Sequence, residues 1–150
     1  MRLVRTAWCL VLFLSLSGCS KTPPPVTEVE GVVLLNGSPL PKALVTFMPE
    51  LDNFGAEMNS TGETDDQGRF TLTCNHKQQP GACVGTHRVL VTDLPVPPEL
   101  RAAEAQGELA SYLRTLKNRP IPLDCGNYAK TPLRAEVKAD QKMYQITLTR

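Results

Sequence analysis

The stretch Val29-Glu30-Gly31-Val32-Val33-Leu34-Leu35-Asn36-Gly37-Ser38-Pro39-Leu40 decides the fold class. Positions 29, 31, 33 and 35 alternate as small or apolar sites, the two-residue period of a strand with one face in a core. Asn36-Gly37 follows directly. Both central residues of a type I′ turn need positive φ, which asparagine and glycine tolerate best, so this dipeptide predicts a tight hairpin.

Outward from that hairpin the same signals repeat. Residues 43–48 predict a second strand ending at Pro49, residues 51–55 a loop, and residues 56–61 a short edge strand. Thr64-Asp65-Asp66-Gln67-Gly68 predicts a turn in which aspartate side chains bond backbone amides and Gly68 takes positive φ. Further strands are expected over residues 69–73, 84–92, 133–138 and 143–149. With Pro 13 and Gly 10 in 150 residues, turn signals at intervals of roughly ten residues predict an all-β fold: an antiparallel, Ig-like β-sandwich of about seven strands.

Residues 98–118 break the period. Leu100, Ala103, Leu109, Tyr112, Leu113 and Leu116 recur at helical spacing between charges, with Pro97-Pro98 suited to a helix start and Asn118 and Pro120 to its end. Gly107 weakens the middle by about 1 kcal/mol relative to alanine. The expectation is one inserted amphipathic helix covering a face or end of the sandwich, with a partner-binding helix as the alternative.

The N-terminus carries a different message. Arg2 and Arg5 precede an apolar run of about ten residues, too short to span a bilayer. Leu16-Ser17-Gly18-Cys19 then resembles the lipobox of bacterial lipoproteins. The resemblance implies a signal peptide over residues 1–18, cleavage before Cys19, and acylation of the Cys19 thiol. Three consecutive prolines, Pro23 to Pro25, forbid a helix, so residues 19–27 are expected to form the lipidated cysteine and an extended tether of roughly 25 Å. The sandwich is assigned to residues 28–150. Membrane contact through the lipid, in the cell envelope and facing the periplasm or exterior, is the expected localisation.

Composition narrows the function. A formal net charge of +1 with intermixed signs gives no field for nucleic acid, and 5% aromatics supply no base-stacking platform. Of five cysteines, Cys9 leaves with the signal and Cys19 takes the lipid, leaving Cys74, Cys83 and Cys125 in a compartment that permits disulfides. Cys74 and Cys83 are expected to face each other across a hairpin and bridge, with Cys125 the alternative partner of either. Cys74, His76 and Cys83 are the candidate copper or zinc ligands. His87, about 13 Å along a straight strand from Cys83, is expected to stand apart from them. Glu57, Glu63, Asp65 and Asp66 form the candidate acidic rim. No nucleophile elbow, metalloprotease helix or phosphate loop is present, so neither an enzyme nor a cofactor is expected.

Val-x-Gly-x-Val-x-x-Asn-Gly-x-Pro-Leu (29–40), Ala-x-Val-x-Phe-x-Pro (43–49) and Thr-Asp-x-x-Gly-x-Phe-x-Leu (64–72) together resemble the carboxypeptidase-regulatory-like, transthyretin-like domain. Residues 81–92 and 131–137 are similar to the version found in small lipoproteins of planctomycete-type bacteria. The resemblance implies the sandwich and an extracytoplasmic lipoprotein. The expected function is non-catalytic binding, adhesion or scaffolding, toward an envelope protein or polysaccharide. The alternative is a small-ligand or metal-carrying module.

Overall fold

The computed structural model describes residues 22–150; the signal peptide expected over residues 1–18, Cys19 and the first residues of the expected tether lie outside the described residues. The strands are β1 (Val26–Thr27), β2 (Glu30–Leu35), β3 (Ser38–Pro39), β4 (Ala43–Pro49), β5 (Ser60–Glu63), β6 (Arg69–Thr71), β7 (Thr73–Cys74), β8 (Gln79–Pro80), β9 (Ala82–Cys83), β10 (Gly85–Asp93), β11 (Arg134–Val137) and β12 (Met143–Leu148). The α-helix is α1 (Gln106–Thr115).

These strands form a β-sandwich. The larger sheet has the order β11-β10-β4-β5-β7-β8. The smaller places β12 on one edge of β2, with β3 and β6 end to end along the other, and β1 with β9 makes a two-stranded pair. Pairing is antiparallel except between β2 and β12, which run parallel. The β2–β3 hairpin turns at Asn36 and Gly37 with φ of 52° and 79°, both positive as the dipeptide requires.

Alternation along each strand sends one set of side chains inward. Val33 and Leu35, Val45 and Phe47, Val89 and Val91, and Ile146 and Leu148 meet there. Phe47 sits at the centre, its ring 6.2 Å from Phe70, 6.4 Å and edge-on from Tyr144, and 5.6 Å from His87. Gly31 has a spatial reason: a Cβ there would stand 2.1 Å from the Tyr144 carbonyl oxygen, so β12 closes on β2 only over glycine. Thr64, buried, donates to the Leu40 carbonyl and accepts from the Ala43 amide, so the hydroxyl is satisfied in the core.

Several expectations are corrected. The tether assigned to residues 19–27 ends earlier, because Val26 and Thr27 already pair with Cys83 and Ala82. Residues 56–61 do not form an edge strand: Ala56–Met58 is a single 3-10 turn, and β5 lies inside the sheet between β4 and β7. The strand expected over residues 69–73 crosses between sheets at Leu72, pairing with β2 before it and with β5 after it.

The helical insertion differs most. Only residues 106–115 are α-helical, preceded by 3-10 turns at Pro98–Arg101 and Ala103–Ala105. No α1 residue is buried, and Leu113 is 48% exposed, so the helix does not cover the core. Its chief neighbours are the two turns that precede it. Lys42 tethers it, with Nζ 3.1 Å from Thr115 Oγ1 and 5.7 Å above the Tyr112 ring. Beyond it, Asn118 Nδ2 donates to the carbonyls of Leu35, Ser38 and Pro39, fastening the segment to the β2–β3 turn. Arg119 pairs with Asp93 and donates to the carbonyls of Pro41 and Lys42. Polar bonds to backbone, rather than apolar burial, hold this arm on.

Candidate functional site

A groove opens on the outer face of the larger sheet. Strand register builds it: Arg134 on β11 lies opposite Arg88 on β10, and Arg88 lies opposite Met48 on β4. Two arginines in direct register repel one another. Glu50, just past the end of β4, offsets that repulsion, with Oε1 2.8 Å from Arg88 Nε and 3.9 Å from Arg134 Nε. The Glu50 amide donates to the Thr86 carbonyl at 2.9 Å, which fixes where its side chain starts.

Tyr128 completes the arrangement. Arg88 Nη1 donates to its carbonyl at 3.0 Å, and the guanidinium lies 4.5 Å from the ring centroid, a cation–π contact. The ring stays 46% exposed. Leu51, Phe54 and Asn59 help to form the walls of a cavity of about 480 Å³, within the range of about 300–1,000 Å³ common to ligand pockets. The hydrogen bond from Arg88 holds the Glu50 carboxyl below its usual range, with burial opposing and both arginines adding to the effect. Glu50 in turn raises Arg88. The polar groups are ionised, mutually bonded and held in place before any ligand arrives.

The cysteines and histidines are arranged otherwise than expected. Cys74 lies opposite Ser60 and Gln79, and Cys83 opposite Val26, so the two stand on different sheets and do not face each other across one hairpin. Cys74, Cys83 and Cys125 are all free thiols, each buried; neither the expected bridge nor its Cys125 alternatives are formed. Cys74 and Cys83 are still close enough to interact: burial first, and the Cys74 thiol second, push Cys83 up to about 11. Burial also raises Cys125, with Asp124 adding to it. A thiol held protonated is a poor nucleophile and a poor metal ligand.

His76 lies half-buried in the loop between β7 and β8, near enough to Glu57 to act on that carboxyl. Among the described residues no group of three or more His, Cys, Asp or Glu side chains is placed to hold a metal ion. His87 is nearer Cys83 than a straight strand allows. The chain bends between β9 and β10, where Gly85 has a φ of 136°. The bend brings His87 Nε2 within 2.7 Å of the Cys83 carbonyl oxygen and 3.8 Å of its Sγ. Nε2 carries the proton that this carbonyl accepts, which leaves Nδ1 a bare acceptor. Nδ1 and Ser60 Oγ are buried without a hydrogen-bond partner among the described residues.

The acidic rim is divided. Glu63 and Asp65 line a second groove with Glu30 and Arg69, while Glu57 folds back to accept from the Gly55 amide. Asp65 serves its own turn: Oδ1 accepts from the Gln67 and Arg69 amides and Oδ2 pairs with Arg69 Nε at 3.1 Å.

His87 yields a pH-dependent prediction. Burial lowers its affinity for a proton, opposed by the Cys83 carbonyl and by Glu50, the charged group nearest in effect. The folded state therefore excludes a proton that the unfolded chain accepts below about pH 6.5. Stability present at pH 7.5 should fall as pH drops through that value, by at most about 1.4 kcal/mol per pH unit for one proton. The paired carboxylates add their own loss only below their unfolded values near pH 4. Urea unfolding at pH 7.5 and 5.5 measures the slope; His87→Leu should flatten it, and an equal slope in both proteins would refute the assignment.

No family model, curated protein or solved structure matches this chain.

Proposed function

We propose that the chain is a cell-envelope lipoprotein of the carboxypeptidase-regulatory-like type, held to a membrane by lipid on Cys19. In this reading the sandwich is a non-catalytic binding module. The pre-ordered groove at Glu50, Arg88 and Tyr128 carries the binding role. Glu50 and the two arginines are committed to one another, which fixes their geometry, and the lining residues offer no free nucleophile paired with a base. An exposed aromatic ring beside fixed polar groups is the composition of a recognition surface. Anchoring rests on Leu16-Ser17-Gly18-Cys19. The partner class is an envelope protein or polysaccharide, and nucleic acid is unsuited to a chain whose formal net charge over its full length is only +1.

Photo-crosslinking in intact cells tests the binding role. A photoreactive residue replacing the exposed Asp52, at the groove, should form a discrete covalent adduct. The same residue replacing the exposed Gln145 on β12 should form none. Equal adducts at both positions, or none at position 52, would defeat the reading.

A further inference from the structure

The groove's own chemistry narrows what it takes, on the reading that it is the binding face. Its formal charges balance over Arg88, Arg134, Glu50 and Asp52: both arginines meet Glu50, and Asp52 lies exposed at the edge of the cavity. An anion such as a phosphate, sulfate or uronate must compete with Glu50 for guanidinium groups already bonded to it at 2.8 Å. A cationic side chain must compete with the arginines for Glu50, and at the exposed Asp52 it gains only the small energy of a solvated surface pair. Either exchange desolvates a charge and leaves its former partner unpaired, which is costly.

A neutral ligand with hydroxyls avoids that exchange. Each hydroxyl donates and accepts, so it can accept from a guanidinium N–H and donate to a carboxylate oxygen without separating the pair. Glu50 uses Oε1 for both arginines, and no hydrogen bond to its Oε2 is seen among the described residues. Arg88 uses Nε and Nη1, with Nη2 likewise without a hydrogen bond among the described residues. One acceptor and one donor therefore remain on the Arg88–Glu50 pair.

The second requirement is an apolar surface for the ligand's C–H groups. The Tyr128 ring, oriented by Arg88 and part-exposed, supplies it at the same groove, with Phe54 and Leu51 alongside. Alternating C–H faces and hydroxyls on an uncharged, rigid ring describe a sugar. The groove is open to solvent rather than enclosed, which suits a short run of a longer chain. We infer that the groove binds a neutral saccharide, as a short run of an uncharged polysaccharide chain.

The test titrates the full chain in detergent micelles with cellohexaose, with oligogalacturonate as the acidic probe and a mixed-charge peptide as the protein-like one. Cellohexaose should bind, with oligogalacturonate and the peptide at least about tenfold weaker. Tyr128→Ala should weaken cellohexaose binding about tenfold, and Tyr128→Trp should retain it. Because Tyr128 gives Arg88 its backbone carbonyl, Tyr128→Ala keeps that hydrogen bond, and an unchanged melting temperature checks that the groove survives. Tighter binding of the acid or the peptide, no binding of cellohexaose, or an undiminished Tyr128→Ala would each overturn the inference. A crosslink retained at position 52 without cellohexaose binding refutes the saccharide alone, whereas loss of that crosslink refutes the binding face itself.

Discussion

Cys19→Ala should move the protein from the membrane fraction to the soluble fraction, or leave it as an unprocessed precursor. The expectation follows from how little else would hold it. No helix among the described residues is long and apolar enough to cross a membrane, and the net charge of +1 offers little attraction to anionic lipid. Acyl chains contribute about 0.8 kcal/mol per buried methylene, and stable anchoring takes two chains or one chain with a second signal. A diacylglyceryl group on the thiol meets that need, so its removal should lower the membrane-to-soluble ratio about hundredfold or more. Fractionation with a carbonate wash reads the ratio, and intact mass of the mature chain reads the modification. An unmodified Cys19 in the mature protein, or a Cys19→Ala chain that is processed normally and stays in the membrane, would exclude the lipid anchor.

What the residues disclosed in advance follows the range of the interactions involved. Asn36-Gly37 was legible because its φ requirement is local, and the structure places both residues at positive φ. The alternation in β2, β4 and β10 was legible because a period of two reports burial on one face without reference to the partner strand. The helix shows the limit. Leu109, Tyr112, Leu113 and Leu116 define a face, but periodicity does not say what meets it. In the structure three of these are half-buried and Leu113 is exposed, and the arm is held by Asn118 and Arg119 instead.

The site was harder to read for a related reason. Glu50, Arg88, Tyr128 and Arg134 come from three separated stretches, and the strand register that aligns them is a property of the folded sheet. The available signal was modest: Arg88 is an outward position directly before the apolar run Val89 to Val91. The distance expected between Cys83 and His87 failed because it assumed an unbroken strand, whereas Gly85 ends one pairing and begins another. Glycine between two strand-like runs marks such a bend. The expected cysteine pairing failed on register as well, since Leu72 lets the chain change sheets before Cys74.

Phe47→Ala should be the most destabilising single substitution of a core side chain. Phe47 is the largest of the fully buried side chains, and it reaches across to the other sheet. Its ring meets Phe70 and Tyr144 from the smaller sheet and His87 from its own. Truncation removes the transfer energy of the ring and leaves a cavity whose walls are strands hydrogen-bonded on both sides, β4 being flanked by β10 and β5. Such walls cannot collapse inward without breaking sheet bonds, so the cost should lie at the upper part of the range of about 3–5 kcal/mol for buried Phe→Ala. Domains of this size are stable by about 5–15 kcal/mol in total, so the variant should sit near the edge of folding at 25 °C. The cavity would also border His87, whose Nδ1 has no hydrogen-bond partner among the described residues, and water entering there would soften the pH dependence described above. Phe47→Leu keeps most of the volume and should cost much less. Met143→Ala, at a side chain that is 60% exposed, should change stability by no more than about 0.5 kcal/mol. Urea unfolding of the three variants, with the slope against denaturant held to the wild-type value, gives the comparison. A loss below about 1 kcal/mol for Phe47→Ala would mean that the two sheets are not joined through this ring.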